Sequence, residues 1–159
     1  MAQYKNIIIV GTNNTCRSFM AEVVLHQLCA ENDCSDVNVI SRGTVVLFPE
    51  PIHPKAADIV REAGYAIRDF QARKLSQEDV DEADLILTIT EDEKQKILKE
   101  FEIEEGRQVV AVISEFAGED TGIPDPYGKD KEDYEISFIT IRRMMETIFE
   151  EKIRNQDTE

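Results

Sequence analysis

Apolar positions along this chain fall into short unbroken runs separated by longer stretches of helical periodicity. Ile7-Ile8-Ile9-Val10 sets four β-branched residues side by side with no polar break, the mark of a strand covered on both faces, as in parallel sheets. A polar turn follows. From 18 to about 30, Met20, Val24 and Leu28 then recur at helical spacing, with Val23 and Leu25 widening the stripe and Ser18 suited to the N-cap. A second strand is predicted over 37–40, followed by a Pro-rich loop through Phe48, Pro49, Pro51 and Pro54. Pro54 can open the next helix and Gly64 can end it, with Ile59, Val60 and Ala63 as its apolar face. Further along, the pattern predicts a strand over 85–90, a charged helix over 91–101 and a strand over 109–113. Gly118, Gly122, Pro124, Pro126 and Gly128 mark an irregular loop before a last helix over 130–153, whose buried stripe is Tyr134, Phe138, Ile141, Met145 and Ile148. Strands alternating with helices imply an α/β fold, a doubly wound four-stranded parallel sheet flanked by helices.

At 159 residues the chain fits one domain, expected to span 1–159. The first apolar run is too short for a membrane span and has no small-residue cleavage site, so a cytoplasmic protein is expected. Cys16, Cys29 and Cys34 are an odd set without Cys-x-x-Cys spacing, which argues against both a disulfide framework and a zinc site. No metal or cofactor is expected. The formal charge of −15 disfavours nucleic acid and anionic membranes as partners and favours basic ones, although acidic composition is most often a solvated surface.

The chemistry concentrates where the first strand meets the first helix. Successive amides in a turn of this kind, with the positive end of a helix behind them, form an anion nest, and Arg17 adds a bidentate fork suited to phosphate. Asn14 and Ser18 can hold backbone or ligand by hydrogen bonds or simply form the turn and cap, and Asp125-Pro126-Tyr127-Gly128 reads on its own as a turn. His26 and His53 read as a helix-surface residue and a loop residue, without a role in the site.

The run Val10-Gly11-Thr12-Asn13-Asn14-Thr15-Cys16-Arg17-Ser18-Phe19-Met20-Ala21-Glu22 resembles the phosphate loop of the low-molecular-weight protein tyrosine phosphatases, V-C-x-G-N-x-C-R-S-P-M-A-E. The resemblance continues in order through Ser41-Arg42-Gly43-Thr44, Ala72-Arg73-Lys74-Leu75, Glu82-Ala83-Asp84-Leu85-Ile86-Leu87 and Asp125-Pro126-Tyr127-Gly128. It implies a cysteine thiolate attacking phosphorus, an arginine holding the phosphoryl oxygens and an aspartate protonating the leaving group. Arg17 and Asp125 match the last two. The attacking cysteine, six positions before the arginine, falls on Gly11. Asn13 stands for the family's glycine, tolerable if φ there is positive, and Phe19 stands for its proline, setting a ring near the mouth where it can pack or partly close the site, while Tyr127 can line the entrance beside Asp125. In the family the second cysteine is a redox partner of the first, so Cys16 has no such partner here and is expected to be a packed thiol rather than a nucleophile. Thr12 and Thr15 bring the loop closer to the bacterial protein arginine phosphatase branch. Arsenate reductases of the same fold need further cysteines after the third strand, and 88–101 has none.

Three functions are compatible with this pattern. The first is a pseudophosphatase whose loop 11–18 binds phosphate or a phosphorylated protein side chain. The second is an active or weakly active tyrosine or arginine phosphatase, with Asp125 acting as a base on water. The third is a structural or interaction protein with a decayed site. Oligomeric state is left open.

Overall fold

The computed structural model describes residues 4–154. Strand β1 (Asn6–Gly11) leads through loop 12–16 into helix α1 (Arg17–Glu31), then strand β2 (Asn38–Gly43) and helix α2 (Pro54–Glu62). Helix α3 (Gln77–Glu82), strand β3 (Leu85–Thr88), helix α4 (Glu91–Glu100), strand β4 (Val109–Val112), the single turn α5 (Ile113–Phe116) and helix α6 (Lys131–Ile148) complete the order, with α6 running on into a π-helical turn, Phe149–Ile153. The strands form one sheet in the order β2-β1-β3-β4. Every pairing is parallel.

The β-branched run explains why β1 lies in the interior of this sheet. Alternate side chains of a strand point to opposite faces. Ile7 and Ile9 enter the larger core with Met20, Val24 and Leu25 of α1 and Ile141, Met145 and Ile148 of α6. Ile8 and Val10 enter the smaller core with Val80 of α3, Ile97 of α4 and Ile86 of β3. Both faces are therefore buried, as a continuous apolar run requires.

The chain leaves β1 towards β2 on one side and returns as β3 on the other. That reversal makes the C-terminal end of β1 the topological switch point, where open α/β sheets form their binding crevice.

Several boundaries differ from the sequence pattern for local reasons. Helix α1 begins at Arg17 with Cys16 in the cap position, so Ser18 is not the N-cap but a buried first-turn residue. Strand β2 runs on to Gly43 because its register with β1 pairs Gly43 with Gly11. Strand β3 stops at Thr88, and Thr90 caps α4 in a box with Glu93. Ile113, expected to end the last strand, opens α5 instead. Helix α3 was not anticipated, being too short for a clear periodicity, although its capping box of Ser76 and Asp79 is visible in the sequence.

Candidate functional site

Residues 11–18 curl around a cavity of about 240 Å³ that Ile89, Asp125 and Tyr127 help to enclose. Gly11, at the end of β1, is its buried base. An added Cβ there would stand 3.1 Å from Ser18 Oγ, 3.2 Å from Ser18 Cβ and 3.6 Å from Ile89 Cγ1. The base of the cavity is thus closely bordered but not blocked.

Asn14 sets the loop's shape. Its φ of 61° is left-handed, a conformation that asparagine tolerates better than most residues. The side chain is buried and fully engaged: Nδ2 donates to Ser18 Oγ at 3.1 Å and to Ser41 Oγ at 2.9 Å, while Oδ1 accepts from the Arg73 amide at 3.0 Å. The left-handed residue is Asn14 rather than Asn13, so exchanging the family's glycine for Asn13 costs no backbone strain. The network reaches Glu22, whose carboxyl is pushed up by burial and drawn back by a hydrogen bond from Ser41.

Strand β2 holds the other side of the loop. The Thr44 amide donates to the Gly11 carbonyl at 3.0 Å and the Val45 amide to the Thr12 carbonyl at 2.9 Å. Gly43 has to be glycine for this approach, since a Cβ there would lie 2.6 Å from both the Thr12 carbonyl oxygen and Val46 Cγ2. From the opposite side, Thr12 Oγ1 donates to Glu93 Oε2 at 2.8 Å, while Glu93 Oε1 accepts from the Thr90 amide at 2.8 Å. A buried carboxylate therefore serves the α4 cap and the loop together.

Arg17 is the cationic element of the cavity. Its side chain is 16% exposed, with one guanidinium nitrogen donating to the Ile123 carbonyl at 2.9 Å and the other 3.7 Å from Asp125 Oδ2. The tether fixes the fork while leaving Asp125 as a loose ion-pair partner. Asp125 is 62% exposed, and its Oδ1 accepts from the Tyr127 amide at 3.1 Å, which turns the acid across the mouth. Tyr127 projects from the rim, 75% exposed.

Cys16 lies beside Arg17 but behaves as a half-buried, protonated thiol. Burial pushes it up to about 12, against the pull of Arg17 and with a further push from Asp125. Near neutral pH it carries its proton, so the helix start does not produce a thiolate here.

The structure brings residues 11–18, Asp125 and Tyr127 into one cavity and leaves Phe19 outside it. Phe19 is 1% exposed, packed edge-on against Phe70 with ring centroids 5.1 Å apart. Its place on the core face of α1 turns the ring away from the mouth. Sequence reasoning missed the supporting residues Ser41, Glu93 and His53. Glu93 was findable from its capping box with Thr90. His53 donates its amide to the Thr15 carbonyl at 3.0 Å, accepts the Lys55 amide at Nδ1 to cap α2, and stacks on Tyr134 with centroids 5.2 Å apart. Its position directly before Pro54 was the available signal. Among the described residues no group of three or more His, Cys, Asp or Glu is gathered for a metal ion, and no helix is long and apolar enough to cross a membrane.

Residues 6–158 match the family model described as low molecular weight phosphotyrosine protein phosphatase. The chain belongs to this family. A probable low molecular weight protein-tyrosine-phosphatase, EpsP of Ralstonia nicotianae, is 32% identical over 139 residues, covering 87% of this chain and 90% of that protein. A protein-arginine-phosphatase of Bacillus subtilis is 33% identical over 124 residues, covering 77% and 80%. The crystal structure of a low molecular weight protein tyrosine phosphatase from T. tengcongensis is similar with a TM-score of 0.84 at 27% identity, covering 91% of this chain and 97% of that one. The low molecular weight phosphatase fold thus holds over nearly the whole chain, with its open crevice at the end of β1.

Proposed function

We propose that this family member is a pseudophosphatase: its loop 11–18 binds phosphate or a phosphorylated protein side chain and does not turn it over efficiently. The observation that carries this reading is Gly11 at the base of a cavity whose remaining parts are in place. Arg17 is tethered with its fork at the cavity, Asn14 and Ser18 lock the loop, and Asp125 crosses the mouth. Those parts serve anion binding whether or not a nucleophile is present.

Neither candidate replacement nucleophile suits the chemistry. Glycine has no side chain, and Cys16 stays protonated in its half-buried setting. Covalent attack also needs the reacting atom in line with phosphorus while the loop holds the oxygens, an alignment that a residue five positions along the loop forfeits. Loss of the nucleophile from a serine hydrolase costs on the order of 10⁶ in kcat, the scale of deficit expected here.

A second reading, weak phosphatase activity with Asp125 activating water, is favoured by the names of the curated relatives, which are protein-tyrosine and protein-arginine phosphatases. One pair of measurements separates the two. Turnover of p-nitrophenyl phosphate, phosphotyrosine and phosphoarginine is measured beside a calorimetric titration with inorganic phosphate. Saturable phosphate binding with turnover at background supports the pseudophosphatase. Turnover that disappears in Asp125→Asn supports the second reading, and the absence of phosphate binding rejects the first.

A further inference from the structure

A second cavity of about 680 Å³ opens beside the first and shares Asn13, Thr15 and Tyr127 with it. Its far wall is apolar, built by Leu47, Phe48, Pro51 and Ile52. Leu47 is 87% exposed and Phe48 61%, next to Tyr127 on the rim. Water-facing side chains of this size, grouped at the mouth of a binding cavity, are what a docking surface requires and what an isolated surface residue does not explain.

We propose that this groove takes an apolar side chain next to the phosphorylated residue of a bound phosphoprotein segment, so that the site reads a phosphorylated residue together with its neighbour. The inference rests on the reading of loop 11–18 as a phosphate site. Two observations select this occupant. The first is continuity: an extended segment advances about 3.3 Å per residue, so a chain with its phosphate in the first cavity passes its adjacent residues over walls that the two cavities share. Those walls are also held in register. The His53 amide is bonded to the Thr15 carbonyl, the Val45 amide to the Thr12 carbonyl, and the Glu50 carbonyl to the Ala72 amide, so groove and loop keep a set spacing. The second is charge. The groove is lined by Glu50 and His53 but by no lysine or arginine, and the chain carries −15 overall. An acidic flank is repelled, whereas an apolar flank followed by a basic residue is complementary.

The test uses two series of heptapeptides, phosphotyrosyl and phosphoarginyl, with leucine, glycine or aspartate on either side of the phosphorylated residue, titrated by fluorescence anisotropy. Inorganic phosphate is titrated by calorimetry as the reference for the loop itself. In the series that binds, leucine is expected to tighten binding about tenfold or more over glycine, the scale of burying one such side chain, and aspartate to weaken it. Phe48→Ser and Leu47→Ser should each shrink the leucine preference, while Ile136→Ser, an exposed apolar residue on α6, should preserve it. Because Leu47 and Phe48 are exposed, their removal does not threaten the core. If phosphate and phosphopeptides bind but leucine, glycine and aspartate flanks are equivalent, the groove proposal is overturned and the phosphate reading stands. If neither phosphate nor any peptide binds, the phosphate reading fails and the groove proposal falls with it.

Discussion

Gly11→Cys asks whether the loop is still organised for attack on phosphorus. The built Cβ meets Ser18 Oγ at 3.1 Å and Ser18 Cβ at 3.2 Å, so Ser18 must give by a few tenths of an ångström. Overpacking of this kind costs about 1–3 kcal/mol, enough to lower Tm by several degrees without unfolding a domain of this size. The new thiol would sit at the base of the cavity with Arg17 beside it and the α1 N-terminus ahead of it, both of which lower a thiol pKa. It would thus differ from Cys16, which burial holds protonated. Hydrolysis of p-nitrophenyl phosphate should rise by roughly 10²-fold or more, a fraction of the ~10⁶ that a nucleophile is worth in a hydrolase.

The same substitution should change phosphate binding in a pH-dependent way. At 4 Å, two unit charges interact by about 4 kcal/mol near a protein surface, and a thiolate facing a phosphate dianion is repulsive. Relative to the unsubstituted protein, phosphate affinity should fall as pH rises through the pKa of the new thiol and recover below it. Circular dichroism and calorimetric phosphate binding at low pH verify that the variant is folded and its loop intact. A folded, phosphate-binding Gly11→Cys protein that hydrolyses no faster than its parent would refute the claim that a missing nucleophile is what separates this loop from a catalyst.

Arg17→Ala should weaken phosphate or sulfate binding by roughly 10- to 100-fold, and Arg17→Lys by less, since lysine keeps the charge and loses the fork. Equal affinity in all three proteins, measured by calorimetry, would move the anion site away from Arg17. Cys16 should react with iodoacetamide at pH 8 about 10³-fold more slowly than a free cysteine, because a thiol held at about 12 is almost wholly protonated there. Peptide mapping by mass spectrometry reads the rate; reaction at the free-cysteine rate would show an activated thiolate. The linked stability change has a definite sign: Cys16 and Cys29, both pushed up to about 12 by burial, hold protons in the native state that the unfolded chain releases from about pH 8.5. Their contribution to stability is therefore intact below that pH and lost as pH rises towards 12.

The sheet was legible in the sequence because parallel strands buried on both faces leave a simple trace. Ile7-Ile8-Ile9-Val10 and Leu85-Ile86-Leu87 have no polar position to hide their burial, and all of these residues are at most 2% exposed. The loop between β1 and α1 was legible in its chemistry but not in its mechanics. Ser18 has the composition of an N-cap, and a local rule assigns it to the α1 amides. Its hydroxyl instead accepts from Asn14 Nδ2, and Asn14 is also bonded to Ser41 of β2 and to the Arg73 amide beyond α2. Partners 27 and 59 residues away from Asn14 leave no mark in a local window.

Phe19 shows the complementary failure. Its place in the motif, where the family has proline, points to the mouth, whereas its orientation is set by the face of α1 that packs over the sheet. Phe70, its ring partner, comes from a segment with no regular secondary structure and no periodicity to announce it. Leu47 and Phe48 carry the same lesson in the opposite direction. Within a Pro-rich loop they look like ordinary loop residues that fold inward where they can, yet both remain in water. The backbone bonds from Val45 to Thr12 and from His53 to Thr15 hold the loop open on either side of them. A site whose base is set by one strand and whose rim is set by two distant loops is readable in sequence only at the base. If the rim selects the ligand as proposed, ligand preference measured across Leu47 and Phe48 variants reads that selection where the motif does not.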